Sequence, residues 1–169
     1  MPGRKTGINR RPSMLNNLFR RGFSLIELVI VVVIIGIIAA IAIPRMSRGA
    51  SGAQDSALTA NLAVLRNAID LYETEHPGSY PALATFAAQL TQYTDASGAT
   101  SATKTSTHIY GPYLRAIPAL PVGANKGSTS VAAAFGANVG WIYNATTGAI
   151  SAATQDAEVD ATGKKYNTY

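Results

Sequence analysis

Hydrophobic and polar positions divide the chain into three stretches. Residues 25–43 form an apolar run in which Glu27 is the only charge and Gly36 the only glycine. At 1.5 Å rise per residue a helix of that length spans roughly 28 Å, close to the hydrocarbon core of a bilayer. Next, Leu58, Leu62, Leu65, Ile69 and Tyr72 recur at alternating steps of four and three. That spacing predicts a helix with one apolar stripe. Asp55, Asn61, Arg66, Asn67, Asp70 and Glu73 fall largely on its other sides. Pro44 removes a backbone donor and clashes with the preceding turn, which predicts a kink near residues 41–44. Gly49 and Gly52 weaken the next turns. Pro77-Gly78 closes the element. One rod over residues 24–75 would measure roughly 78 Å.

From residue 77 the helical period is lost. Ser79-Tyr80-Pro81 predicts a turn, with Tyr80 held out of the α region by the following proline. Residues 83–90, with Phe86, suit a short helix. Residues 91–107 are rich in Thr, Ser, Ala and Gly and read as a flexible loop. Pro112, Pro118 and Pro121 favour an extended, braced segment over residues 108–123, and residues 125–130 read as a turn. The clearest sheet signal is Trp141-Ile142-Tyr143, with a return at residues 149–152 and a reverse turn at 144–148, where Gly148 suits positive φ. The polar stretch 154–169 reads as a loop or a short final strand ending at Tyr166. The predicted organisation is a leader at 1–22, a membrane helix at 23–46, an amphipathic helix at 47–76, and a head at 77–169 with a β-hairpin near 139–153. A chain of 169 residues has room for one membrane helix and one small soluble domain.

Charge sharpens this division. Of the 14 Lys and Arg residues, Arg4, Lys5, Arg10, Arg11, Arg20 and Arg21 precede Phe23, where there is no acid; the remainder carries nine acids. The net charge of +5 therefore belongs to the leader. Nothing beyond it resembles a basic nucleic-acid surface, and no nucleic-acid partner is expected. A basic flank ahead of an apolar helix holds residues 1–22 in the cytoplasm and sends the rest outward. In a secretory signal the small-residue cleavage site follows a shorter apolar region. Here Gly22 precedes the run, so cleavage there would discard the leader and keep the helix. Glu27 has two readings. In a plain signal anchor it lies at the headgroup layer. Alternatively it needs a cation in a low-dielectric setting, and the α-amine of a cleaved neighbouring chain would suit it.

The segment Gly22-Phe23-Ser24-Leu25-Ile26-Glu27-Leu28, followed by the apolar run and Pro44, resembles the N-terminal signature of type IV pilins and type II secretion pseudopilins. The resemblance implies an α+β pilin fold. A long N-terminal α-helix, first a membrane half and then an amphipathic half, packs on a small antiparallel β-sheet head. It also implies that a prepilin peptidase cuts between Gly22 and Phe23 and methylates Phe23. Glu27 then sets assembly register with Phe23 of a neighbour, and Pro44 bends the helix. A second likeness covers the head. Tyr80-Pro81, Pro112-Tyr113-Leu114, Ile117-Pro118, Pro121, Gly123, Trp141, Tyr143 and Gly148 are similar to the major, G-type pseudopilins. Leu120-Pro121-Val122-Gly123 departs from the Asp-Pro-Trp-Gly stretch usual there.

The implied partners are copies of the chain in a helical filament, the peptidase/methylase, an inner-membrane assembly platform and minor pseudopilins. The implied location is the inner membrane, single-pass, with the head and the filament in the periplasm. A surface or DNA-uptake pilus and a signal-anchored monomeric binding protein are the competing functions.

Calcium is the one cofactor weighed. Asp156, Glu158 and Asp160 alternate, so in an extended segment they would face one way and supply part of an oxygen shell. Otherwise they form a solvated acidic tail. With no cysteine and two histidines, disulfides and a four-ligand structural zinc site are excluded. His76 and His108 have no nucleophile partner at any known spacing, and residues 127–130, GSTS, lack the lysine of a phosphate loop. No enzyme is expected. Asn144-Ala145-Thr146 matches a glycosylation sequon, a triplet that often arises by chance. Tyr110, Tyr113, Trp141 and Tyr143 are expected in the head core.

Overall fold

A computed structural model describes residues 22–169, apart from the side chains of residues 43–48. The basic leader before Gly22 and the Pro44 side chain lie outside that description. One helix, α1, runs from Leu25 to Glu75. The described residues fall into two units divided between Ile41 and Ala42.

In the first unit α1 is apolar on every side. Its large apolar side chains between Phe23 and Ile41 are 42–81% exposed. The stretch Leu25–Ala42, 18 residues, is long and apolar enough to cross a bilayer.

In the second unit α1 becomes one wall of a core. Leu58, Leu62, Leu65, Ile69 and Tyr72 are all buried, as their spacing predicts, and Ala68 joins them. They pack with Phe86, Leu90, Leu120, Val122, Trp141, Tyr143 and Ile150 in one cluster. After α1 come a 3-10 turn, Leu83–Thr85, and the short helix α2, Phe86–Thr91. The strands are β1 Tyr93–Thr94, β2 Thr100–Ser101, β3 Val131–Ala132, β4 Trp141–Tyr143 and β5 Ile150–Ala152. A 3-10 turn follows at Tyr166–Thr168.

Two sheets result. β4 and β5 pair antiparallel, with Ile142 opposite Ser151. Trp141 and Tyr143 thus point into the core while Ile142 points away, the alternation a strand imposes. The polar tips of both aromatics reach back to proline carbonyls: Trp141 Nε1 donates to Pro118 O (2.8 Å) and Tyr143 OH to Pro81 O (3.0 Å). Burial holds the Tyr143 hydroxyl well above the usual tyrosine range. Gly148 has φ +70, and a Cβ there would lie 2.5 Å from Tyr80 Cε1. The turn therefore needs glycine for both conformation and space.

Two expectations require correction. The sheet is not purely antiparallel, because β3 runs parallel to β4, with Val131 opposite Trp141. The loop at residues 133–140 returns the chain so that β4 starts beside the start of β3. Residues 91–107 are not simply a flexible loop, because β1 and β2 form an antiparallel pair there. Its turn is built by Asp95, whose Oδ1 accepts from Ser97 N (2.8 Å), Ser97 Oγ (2.7 Å) and Ala99 N (3.0 Å). These bonds hold the Asp95 carboxyl below its usual range, the Ser97 hydroxyl contributing most. The stretch after β5 holds a bridge between Val159 and Lys165 ahead of the final 3-10 turn.

Candidate functional site

The residues singled out at the N-terminus lie together at the start of α1. Gly22, Phe23 and Ser24 precede the helix and are exposed. The first α1 hydrogen bond runs from Leu28 N to Ser24 O, at 3.1 Å. Among the described residues, Gly22 and Phe23 lie ahead of that first bond. Nothing lies within 4 Å of a Cβ built on Gly22. The described fold makes no demand for glycine there.

Glu27 is exposed in the first turn of α1. A carboxylate is electrostatically favoured there, among backbone N–H groups with no intrahelical partner. Among the described residues its own chain offers it no ion pair. Phe23 and Glu27 are four residues apart at the same helix end.

The three carboxylates weighed for calcium do not converge. Asp156 accepts from Lys165 Nζ (2.7 Å) and Asn167 Nδ2 (2.8 Å). Glu158 accepts from Ala124 N (2.5 Å) and Gln155 N (2.6 Å). Asp160 accepts from Thr162 N and Oγ1 (both 2.7 Å), Lys164 N (3.0 Å) and the Tyr169 hydroxyl. The segment turns instead of extending, so alternation does not bring the carboxylates to one side. Among the described residues no group of three or more His, Asp or Glu side chains is placed to hold a metal. Donors keep two of these carboxyls low. The Lys165 ammonium does so for Asp156, and the Tyr169 hydroxyl, followed by that of Thr162, for Asp160.

His76 extends the buried stripe by one turn, which the aliphatic spacing had not shown. Its ring stacks on Tyr72 with centroids 4.0 Å apart and meets Tyr110 edge-on at 5.1 Å. Nδ1 faces Tyr72 O (2.9 Å) and Nε2 faces Asp95 O (2.8 Å), so the ring fastens the end of α1 to the β1–β2 turn. Beside it, Tyr113 OH donates to Glu75 Oε2 at 2.5 Å. Burial, with that bond second, raises the Tyr113 hydroxyl above its usual range. His108 contacts the hydroxyls of Thr105 (2.9 Å) and Thr107 (3.1 Å) in an exposed loop. Asn144 closes the β4–β5 turn by accepting from Thr146 N at 2.9 Å. Residues 127–130 help to line a polar hollow of about 480 Å³.

The polar side of α1 also holds the head, a role its sequence does not announce. Asn61 Nδ2 donates to Ala119 O (3.1 Å), and Arg66 to Tyr169 O (2.6 Å) and Ile150 O (3.3 Å). Tyr166 OH donates to Asp55 Oδ1 (2.9 Å), and Lys164 lies 3.7 Å from the Tyr169 ring centre. The Arg66–Tyr169 and Tyr166–Asp55 bonds clasp the 160–169 segment onto the shaft.

Residues 19–43 match the family model described as the prokaryotic N-terminal methylation motif. The chain thus carries the motif characteristic of type IV pilin and pseudopilin proteins on a helix long enough to cross a membrane. No curated protein and no solved structure matches the chain.

Proposed function

We propose that this chain is the structural subunit of a type II secretion pseudopilus. The observation that carries this reading is the first half of α1, an apolar surface left bare on all sides with Glu27 in its first turn. Once outside lipid, such a helix must be covered by others of its kind. Burial supports cohesion at roughly 25 cal/mol per Å² of apolar surface taken from water, less where the helix leaves lipid.

Peptidase cleavage after Gly22 frees the Phe23 amine and removes the basic leader. Methylation then marks the new terminus. Subunits stack by their N-terminal helices into an open, heterologous filament. Glu27 seeks the Phe23 amine of the adjacent copy. This pairing discriminates between staggers more than it adds affinity, because both charges must be desolvated to form it. Pro44 gives the helix a place to unwind during assembly. The head faces the periplasm, where minor pseudopilins and the inner-membrane platform are its partners. The G-type head likeness favours a secretion filament over a surface pilus.

Mass spectrometry of the mature protein, with electron microscopy of its assemblies, tests the reading. Methylated Phe23 and filaments of the chain are expected. An intact N-terminus on a monomeric protein would refute it in favour of a signal-anchored binding protein. Long surface fibres with a retraction motor would favour the pilus.

A further inference from the structure

Among the exposed apolar side chains of the unit that starts at Ala42, which also include Ile109 and Val159, two features stand out. The first lies on α1, where Val64 and Leu71, 48% and 56% exposed, are seven residues apart and share a face turned away from the buried stripe. A shallow groove of about 380 Å³ there is lined by Asn67, Asp70, Leu71 and Thr74. The second is a knob in the loop between β3 and β4, Ala133-Ala134-Phe135, with Phe135 44% exposed.

The knob is built, not loose. Asn125 Nδ2 donates to Gly136 O (2.9 Å), Ser128 Oγ donates to Asn138 O, and Gly140 N donates to Ser130 O (2.9 Å). Asn138 takes φ +61 to turn the chain back towards β4. A loop pinned at three points presents Phe135 at little further ordering cost.

The two features are also complementary in charge. The groove carries Asp70 on its rim and Glu73 close by, neither of them ion-paired. The sequence between Gly123 and Gln155 has no carboxylate and one lysine, Lys126, next to the Asn125 that pins the knob. Glu158 does reach this loop, but both its oxygens are taken by the N–H groups of Ala124 and Gln155.

We infer that Phe135 of one copy seats in the Leu71 groove of the next copy, with Lys126 facing Asp70. The inference rests on the filament reading and adds a contact between heads and shafts to the stacking of stalks. Knob and groove occupy different parts of the molecule, so each copy offers one and fills the other. Such a contact is heterologous, and on the filament reading it repeats along the fibre. Its charges select the neighbouring head more than they hold it.

The cysteine-free chain permits a direct test. Ala134→Cys with Thr74→Cys places thiols beside the contact, at exposed positions, and leaves Phe135 and Leu71 in place. The full chain is assembled in cells with its machinery and oxidised. The double variant should give a ladder of disulfide-linked multimers that neither single variant gives. Electron microscopy of the same samples reads filament formation separately. Filaments without a ladder would overturn the contact and leave the filament reading standing. Absence of both would remove the filament reading, and the contact with it. In the double-cysteine background, Lys126→Glu or Asp70→Lys alone should reduce the ladder several-fold. The two together should restore it, and failure of that rescue would overturn the charge pairing.

Discussion

Leu62 and Val64 are two positions apart on one helix, and truncating each to alanine should have very different effects. Leu62 is fully buried in the head core, whereas Val64 is about half exposed. Leu62→Ala removes buried methyl groups and leaves a cavity, which costs about 2–5 kcal/mol. For a domain of 100–150 residues each kcal/mol moves the melting temperature by roughly 3–5 °C, so a drop of roughly 6–25 °C is expected. Val64→Ala loses little buried area and gains helix propensity, so its change should stay within about 0.5 kcal/mol. Trp141, the single tryptophan, lies in the same cluster as Leu62 and supplies the signal. The assay is tryptophan fluorescence of the full chain in detergent during heating. Equal losses for the two variants would refute the assignment of the core-facing stripe. A large loss at Val64 alone would place the head on the other side of the helix.

Replacing Gly22 by a bulky residue should leave an uncut precursor of unchanged melting temperature, since no side chain crowds that position; normal processing would show that the cleavage site lies elsewhere. Glu27→Leu should be cut and methylated but fail to join filaments, and normal assembly of that variant would remove the register argument. Gly148→Ala should destabilise the head by at least about 1–2 kcal/mol, because the left-handed backbone and the Tyr80 ring both oppose a Cβ; an unaltered melt would contradict the turn. The Asp160 carboxyl is depressed by the Tyr169 and Thr162 hydroxyls, so its contribution is present above the ordinary carboxylate value near 4 and fades as pH falls below it. Tyr166, raised to about 12 by burial and then by Asp55, contributes below pH 10, a stabilisation lost as pH climbs towards 12. Asp160→Asn should therefore flatten the acid limb of the melting profile and also weaken the alkaline one, because Asp160 helps to raise the Tyr169 and Tyr166 hydroxyls; a curve parallel to the parent would refute that role. Chelation of calcium should leave the melt unmoved, because protein donors already occupy Asp156, Glu158 and Asp160; a fall of several degrees would restore the metal reading.

The parts legible in the sequence are those with a period or a forced turn. Five aliphatic and aromatic residues at helical spacing located the core face of α1, and Trp141-Ile142-Tyr143 with Gly148 located the hairpin. β1 and β2 have two residues each, too few to show alternation, and their turn depends on one aspartate side chain. The parallel pairing of β3 with β4 depends on how a loop returns through space, which no local pattern encodes. Asp55, Asn61 and Arg66 read as a solvated helix face, yet each bonds the head. At the N-terminal site the reverse holds: Gly22, Phe23 and Glu27 were visible because a charge and a small residue interrupt an apolar pattern. The roles proposed for them lie in contacts with other molecules, which a single chain does not contain.

The Tyr166–Asp55 bond joins residues 111 positions apart. A ribosome has long since released Asp55 when it reaches Tyr166, and across a membrane the same delay separates their emergence. Throughout that interval the shaft lacks its clasp and the β4–β5 wall of its core. The stripe from Leu58 to Tyr72 is then an uncovered apolar ridge, the kind of surface a holdase protects. On the proposed reading, maturation of the subunit waits on translocation of Tyr166 as well as on the peptidase acting at Gly22.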